Sequence, residues 1–373
     1  MLHPDLSRRR FLQTSGAGVL AGAAGMALAP HVLGQAAVQK KVGFAIVGLG
    51  RFGAGQLLRS LPECKFAWPA ALVSGDPAKA KTLAAKYGVP EKSIYSYENF
   101  DSIKDNADVE AVYVVLPNSM HAEYTIRAAK AGKHVICEKP MAIFPKECEE
   151  MIAACKQANR KLMIGYRLRY EPTHMKAIEI CRNKTYGAPL VVESAHAFAI
   201  GQNEWRTDKT LAGGGPVMDV GIYSVNAARY LIGEEPASVS AQTWQPKDDP
   251  RFKTTEAQMA WTMKFPGGAL MSGTTSYAHH SMGFVKLACE SATIDLEPAF
   301  GYGGLKMRIR PRGGPDEMVE VPQINQFAAE MDHFAECILN DKTPRTPGKE
   351  GLADVKVLRK LYESAETGRI VEV

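Results

Sequence analysis

Few folds accept an apolar run, Lys41 to Val47, that ends in Gly48-Leu49-Gly50-Arg51-Phe52-Gly53 and passes straight into the helix-like pattern Ala54 to Leu61. Glycines at this spacing mean little alone and much more between a buried strand and a helix. They permit a tight turn and close backbone approach, so a pyrophosphate can rest on the amides of a helix N-terminus. A chance glycine turn is the competing reading, and the residues that follow weigh against it.

The strand and helix pattern repeats. Ala70 to Ser74 predicts a second strand, Pro77 to Tyr87 a helix, Ala111 to Leu116 a third strand, His121 to Ala131 a helix, and His134 to Cys137 and Lys161 to Gly165 further strands. Short apolar strands alternating with helices imply an α/β fold with a doubly wound parallel sheet. Ligands of such sheets sit beyond the carboxyl ends of the strands. Here those ends carry Gly48, Ser74, Leu116-Pro117-Asn118 and Glu138-Lys139-Pro140.

The end of the second strand bears on the nucleotide. An NAD site places Asp or Glu there for the ribose 2′-hydroxyl, and a carboxylate would repel a 2′-phosphate. This chain has Ser74-Gly75, with Arg51 in the glycine loop and Lys79 early in the next helix, which favours NADP. Asp76, two residues on, keeps NAD as the lesser alternative.

From Pro189 onward the pattern changes. Strand-like runs appear at Leu190 to Phe198, Ser238 to Trp244, Ala257 to Phe265, Ala269 to Tyr277 and Phe284 to Cys289, and several alternate apolar and polar residues, as antiparallel strands with one buried face do. Helical patterns return at Gln323 to Leu339 and Lys349 to Ala365. The expected division is residues 1–36, 37–165 and 166–373, and a chain of 373 residues suits two domains at about 150 residues each.

Residues 1–36 read as an export signal. A charged start is followed by a stretch without charge from Phe11 to Gln39, and the apolar part, Val19 to Leu33, is broken by Pro30 and His31, a poor membrane span. Ser7-Arg8-Arg9-Arg10-Phe11-Leu12 resembles the twin-arginine export pattern, so the twin-arginine machinery is an expected partner, the periplasm the expected location, and no stable membrane anchor is expected. Cleavage is expected after Ala36. The seven cysteines form no Cys-x-x-Cys pair and read as small buried hydrophobes, and no ligand spacing points to a metal. The net charge of +5 comes from 45 basic and 40 acidic residues without a long basic run, which argues against nucleic acid.

Two places carry candidate chemistry. His134-Val135-Ile136-Cys137-Glu138-Lys139-Pro140 delivers a lysine to a strand end, where it can polarise a substrate oxygen. Gly213-Gly214-Gly215-Pro216-Val217-Met218-Asp219-Val220-Gly221-Ile222-Tyr223 opens a helix on which Asp219 and Tyr223 share a face. By itself this pair is as consistent with structure as with catalysis. With Lys139 it supplies a phenol to move a proton, an ammonium to steady the anion and a carboxylate to orient a hydroxyl.

These motifs, with Ala45-Ile46-Val47-Gly48-Leu49-Gly50, Leu116-Pro117-Asn118-Ser119 and Arg229-Tyr230-Leu231-Ile232-Gly233-Glu234-Glu235-Pro236, resemble the glucose-fructose oxidoreductase and inositol dehydrogenase family over nearly all of the chain after Lys41. The resemblance implies an N-terminal Rossmann domain and a C-terminal α/β domain with a large open, mostly antiparallel sheet that forms a homo-oligomer interface. It implies Lys139 and Tyr223 as the catalytic pair, with Asp219 holding the substrate and Tyr277 near the sugar. It implies cofactor contacts at Gly48, Leu49, Gly50, Arg51, Phe52, Ser74, Lys79, Tyr97, Leu116, Pro117, Asn118, His121, Glu138, Lys139, Arg167, Trp205 and Arg206. Tyrosine rather than histidine at position 223 matches the glucose-fructose oxidoreductase branch. Unlike that branch, this chain has only Ala37 to Lys40 where a long proline-rich arm is expected, and the segment His196 to Glu204 lacks the family's acidic character.

Export and cofactor together imply a cycle. Nicotinamide nucleotides are scarce outside the cytoplasm, so the expected enzyme keeps NADP and reloads it. It would oxidise a glucose-like aldose to its lactone and reduce fructose or another aldose to a polyol, with ping-pong kinetics. The alternatives are a conventional NAD(P)-dependent sugar or inositol dehydrogenase, or a non-catalytic sugar-binding protein on the same fold.

Overall fold

The computed structural model describes Lys40–Val373, so the expected signal and its cleavage position lie outside the described residues. β1 (Val42–Val47) is buried at every position, the mark of a strand covered on both faces. It sits inside a six-stranded sheet with β2 (Ala67–Val73), β3 (Ile94–Tyr95), β4 (Ala111–Val114), β5 (His134–Glu138) and β6 (Leu162–Gly165), in the order β3-β2-β1-β4-β5-β6. Every pair in it is parallel. The strand order reverses between β1 and β4, and that switch point opens the crevice described below. The expected parallel sheet is borne out; β3, two residues long at the edge, was not anticipated.

Helices Pro77–Tyr87, His121–Lys130 and Pro145–Gln157 follow strands as crossovers do. A further helix on this sheet comes from far along the chain. Gln326–Leu339 packs Phe327, Met331 and Phe334 with Phe44, Ile46 and Tyr113 of β1 and β4. Phe44 and Phe334 stand 6.4 Å apart between ring centroids. The first layer is thus completed by residues from beyond the second sheet.

The second sheet has nine strands: β7 (Pro189–Ala197), β8 (Ser238–Trp244), β9 (Gln258–Lys264), β10 (Leu270–Ser276), β11 (Met282–Cys289), β12 (Ala292–Leu296), β13 (Met307–Pro311), β14 (Glu317–Val319) and β15 (Val371–Glu372). Their order is β14-β13-β12-β11-β7-β10-β9-β8-β15. Only β7 and β10 run parallel; the other pairs are antiparallel. Buried and exposed residues alternate along β9 and β10, so one face meets helices Ile222–Ile232 and Gly348–Thr367 while the other stays open. Its mostly antiparallel character matches expectation, whereas β12 to β15 went unforeseen because they are short and carry charged residues.

Candidate active site

The carboxyl ends of β1, β4 and β5 open into a crevice of about 910 Å³, walled on its far side by the residues after β7 and by Phe300 to Tyr302. The glycine loop forms one end. Gly48 has φ +105°, and a Cβ there would stand 2.5 Å from the Val115 carbonyl oxygen. A Cβ on Gly53 would strike the Gly48 carbonyl, which holds the following helix against the strand. Gly50 is exposed to the crevice with nothing near its missing Cβ. Those are the three roles a dinucleotide loop needs: a tight turn, access for a pyrophosphate, and close helix packing. The residues fit the group.

Leu49, Arg51, Phe52, Tyr97, Leu116 and Pro117 line the same crevice, as do Asn118, His121, Glu138, Arg167, Trp205 and Arg206. Asn118 donates from Nδ2 to the Ala212 carbonyl at 2.8 Å, tying the segment after β4 to the end of the short helix Lys209–Ala212. The His121 ring lies between the carbonyls of Leu116 and Pro140, at 2.9 and 2.8 Å, and burial brings its pKa down to about 4.

Two expected cofactor residues, Ser74 and Lys79, follow β2 beside the crevice: a Cβ on Gly75, between them, would stand 3.1 Å from the ring of Tyr97, which lines it. Ser74 accepts the Asp76 amide on Oγ at 3.0 Å and does not line the crevice. Lys79 has an exposed side chain, also off the crevice, while its amide donates to Asp76 Oδ1 at 3.0 Å. Asp76 is the N-cap of helix Pro77–Tyr87, which accounts for the whole Ser74-to-Lys79 turn. Of the two expected cations only Arg51 reaches the crevice wall. Its Nη2 meets Glu204 Oε1 and Oε2 at 2.5 and 2.6 Å.

The chemical end brings Lys139, Asp219 and Tyr223 together. Lys139, the residue after β5, donates from Nζ to Asp219 Oδ1 at 3.0 Å and to the Asp219 carbonyl at 2.6 Å, with Nζ 4.8 Å from the centre of the Tyr223 ring. Asp219 lies in a wide π-type turn, Val217–Gly221, that leads into helix Ile222–Ile232, and this delivers both Asp219 and Tyr223 to the crevice. Arg167 donates from Nε to Tyr223 Oη at 3.1 Å. Its remaining nitrogens are held by the Phe300 carbonyl, the Gly301 carbonyl and Gln326 Oε1 at 2.7, 3.1 and 2.6 Å.

Asp219 also accepts Arg206 Nε at 3.0 Å and the Tyr277 hydroxyl. Burial alone would raise its carboxyl, but Lys139 and Arg206 outweigh that and hold it well below the usual carboxylate range. Burial likewise opposes the charge on Lys139, and the negative groups around it, Asp219 first, keep its pKa raised. Tyr277, expected near the sugar, is fully buried behind Asp219 and does not line the crevice. It fixes a carboxylate oxygen instead.

His196, Phe300 and Tyr302 line the site without having been assigned a role beforehand. The His196 ring stacks on Phe300 at 4.5 Å with a 16° interplanar angle and lies 5.5 Å from the Tyr223 ring. Its Nδ1 is buried without a partner, and burial, with Arg167 nearby, brings its pKa down to about 3. The strand-end rule could have found His196, which sits near the carboxyl end of β7. Phe300 and Tyr302 follow β12 with no local motif to mark them.

Residues 42–166 match the family model of the oxidoreductase family with an NAD-binding Rossmann fold, and residues 174–295 match the GFO/IDH/MocA C-terminal domain. The chain belongs to the GFO/IDH/MocA oxidoreductase family. The resemblance carried by the glycine loop, the Glu-Lys-Pro strand and the Asp219 to Tyr223 helix is borne out. Among family members the chain is 30% identical over 345 residues to D-xylose 1-dehydrogenase (NADP(+)) of Haloarcula marismortui, covering 91% of this chain and 95% of that protein. It is 28% identical over 334 residues to D-xylose 1-dehydrogenase (NADP(+)) 2 of Haloferax volcanii, covering 88% and 99%. The crystal structure of aldose-aldose oxidoreductase from Caulobacter crescentus, complexed with glycerol, is similar with a TM-score of 0.87 at 45% identity, over 90% of this chain and 100% of that one.

Proposed function

We propose that this chain is an exported sugar oxidoreductase that retains NADP(H), oxidises an aldose to its lactone and reduces a second sugar to a polyol in the same crevice. The observation that carries the reading is the convergence of Lys139, Asp219 and Tyr223 on the crevice whose other end is the glycine loop. NADP is supported by Arg51 on the crevice wall, by the lack of a carboxylate at Ser74, and by the NADP(+) in the names of both xylose dehydrogenases. The aldose-aldose oxidoreductase neighbour supports two sugars rather than one.

The glycine loop and the crevice lining would hold the nucleotide, which would supply a hydride acceptor for one sugar and a hydride donor for the other. Tyr223 starts this half as the phenolate: its Oη takes the proton of the aldose C1 hydroxyl as the C1–H bond gives up its electron pair as hydride, leaving the lactone C=O and a neutral phenol. The same proton returns from Tyr223 Oη to the carbonyl oxygen of the second sugar, so none is released over the cycle. Arg167 keeps its hydrogen bond to Oη throughout. Lys139, held charged by Asp219, lies against the developing oxyanion and stabilises it. Product leaves before the second sugar enters, which is ping-pong behaviour.

Tyr223→Phe tests the assignment. Hydride transfer between sugars falls by about 10²-fold or more, while the purified variant carries as much nucleotide as the wild type. An unchanged rate overturns the role of Tyr223. A homo-oligomer through the open face of the nine-stranded sheet is part of the same reading, supported by exposed Val191, Trp244, Leu270 and Met282. A monomer's mass by light scattering overturns that part alone.

A further inference from the structure

Behind the crevice wall, β4, β5 and helix Gln326–Leu339 bring together three side chains that no step above uses. Tyr113 Oη lies 2.7 Å from Glu138 Oε1 and 2.9 Å from Glu330 Oε2. Tyr113 and Glu330 are wholly buried and Glu138 nearly so. A phenol carries one proton and can donate to one carboxylate only. The other short contact needs a proton on the carboxyl oxygen; otherwise two lone-pair oxygens face each other in a dry site. One of the two glutamates is therefore a carboxylic acid.

The surroundings decide which one. Burial raises the Glu138 carboxyl as well, but Glu138 has compensation that Glu330 lacks: its Oε2 accepts the Lys139 amide at 3.2 Å, and the charges of Lys139 and Arg167 both favour its ionised form. Glu330 Oε1 is buried with no hydrogen-bond partner. The titratable and charged groups around Glu330 are Tyr113 of β4, Glu138 of β5, and Arg167 and Tyr170 of the turn Arg167–Tyr170. Arg167 is the single cation among them, and its hydrogen bonds all go elsewhere, to Tyr223, Phe300, Gly301 and Gln326. Burial, and then the negative charge of Glu138, push the Glu330 carboxyl well above its ordinary value.

We propose that Glu330 is a protonated positioning residue: its Oε2–H donates to Tyr113 Oη, Tyr113 donates to Glu138 Oε1, and the chain fixes one ionised carboxylate on the crevice wall beside Lys139. β6 contributes by leaving room. A Cβ on Gly165 would stand 2.8 Å from Glu138 Oε1 and 3.0 Å from Tyr113 Oη, so a side chain there would push the link apart. The role of the link in turnover rests on the crevice being the hydride-transfer site; its protonation state does not.

Infrared difference spectra of the purified protein, wild type minus Glu330→Gln, test the proton directly and without any sugar. A protonated-carboxyl C=O band present in the wild type and constant between about pH 5 and pH 9 is expected. Its absence overturns the proposal whatever the substrate is. For the positioning role, Glu330→Leu lowers kcat about tenfold with KM for the sugar unchanged, and Glu330→Gln, a neutral donor of similar shape, recovers most of it. A glutamine variant as slow as the leucine variant, or one whose kcat–pH profile is displaced, overturns the neutral acid. A leucine variant with wild-type kcat overturns the positioning role and leaves only the proton to the spectra.

Discussion

Asp219 organises this site because three donors from three parts of the chain meet on one carboxylate: Lys139, Arg206 and Tyr277. Lys139, Asp219 and Tyr223 were legible in the sequence because each sits in a short motif at a strand end or helix start. Tyr277 was legible as a residue of the site but not in its role, since a strand pattern does not say whether a side chain meets the cavity or the group behind it. His196 offers a titration to check. Its folded value of about 3 lies below the unfolded value of about 6.5, so the neutral ring's contribution to stability is full above about pH 6.5 and is lost as pH falls toward 3. Glutamine does not titrate there. The Tm advantage of wild type over His196→Gln is therefore expected to shrink between about pH 7 and about pH 5, and a constant or growing advantage in thermal melts contradicts the buried neutral ring.

Helix Gln326–Leu339 links the two ends of the sequence. Its apolar face covers β1, and its first residue, Gln326, accepts a hydrogen bond from the arginine that touches Tyr223. Periodicity reveals such a helix and its apolar face, but not which sheet that face will meet, so its return to the first layer could not be read from the sequence. The same limit hid the parallel pairing of β7 and β10, because alternation marks a half-buried strand without giving its direction. Phe334 is fully buried against Phe44 in this packing. Phe334→Ala is expected to lower unfolding stability by about 3–5 kcal/mol in urea melts, and a loss under about 1 kcal/mol would mean the helix is not part of the first layer's core.

On the scale of the whole molecule, the proposed function has one crevice serve both sugars, and the proposed leader, residues 1–36, gives the reason to keep the nucleotide in it. The leader is proposed from Ser7 to Leu12 and is tested by export: Arg8→Lys with Arg9→Lys is expected to leave unprocessed protein inside the cell, whereas normal processing and release contradict the twin-arginine route. The central claim is a closed cycle on retained NADP. Purified, processed protein with no nucleotide added is expected to gain reduced-nicotinamide absorbance when an aldose is supplied, to about one equivalent per crevice. A second sugar, added after the first is removed, is expected to return the absorbance to baseline. Silence until free nucleotide is added would contradict the cycle and leave a conventional dehydrogenase.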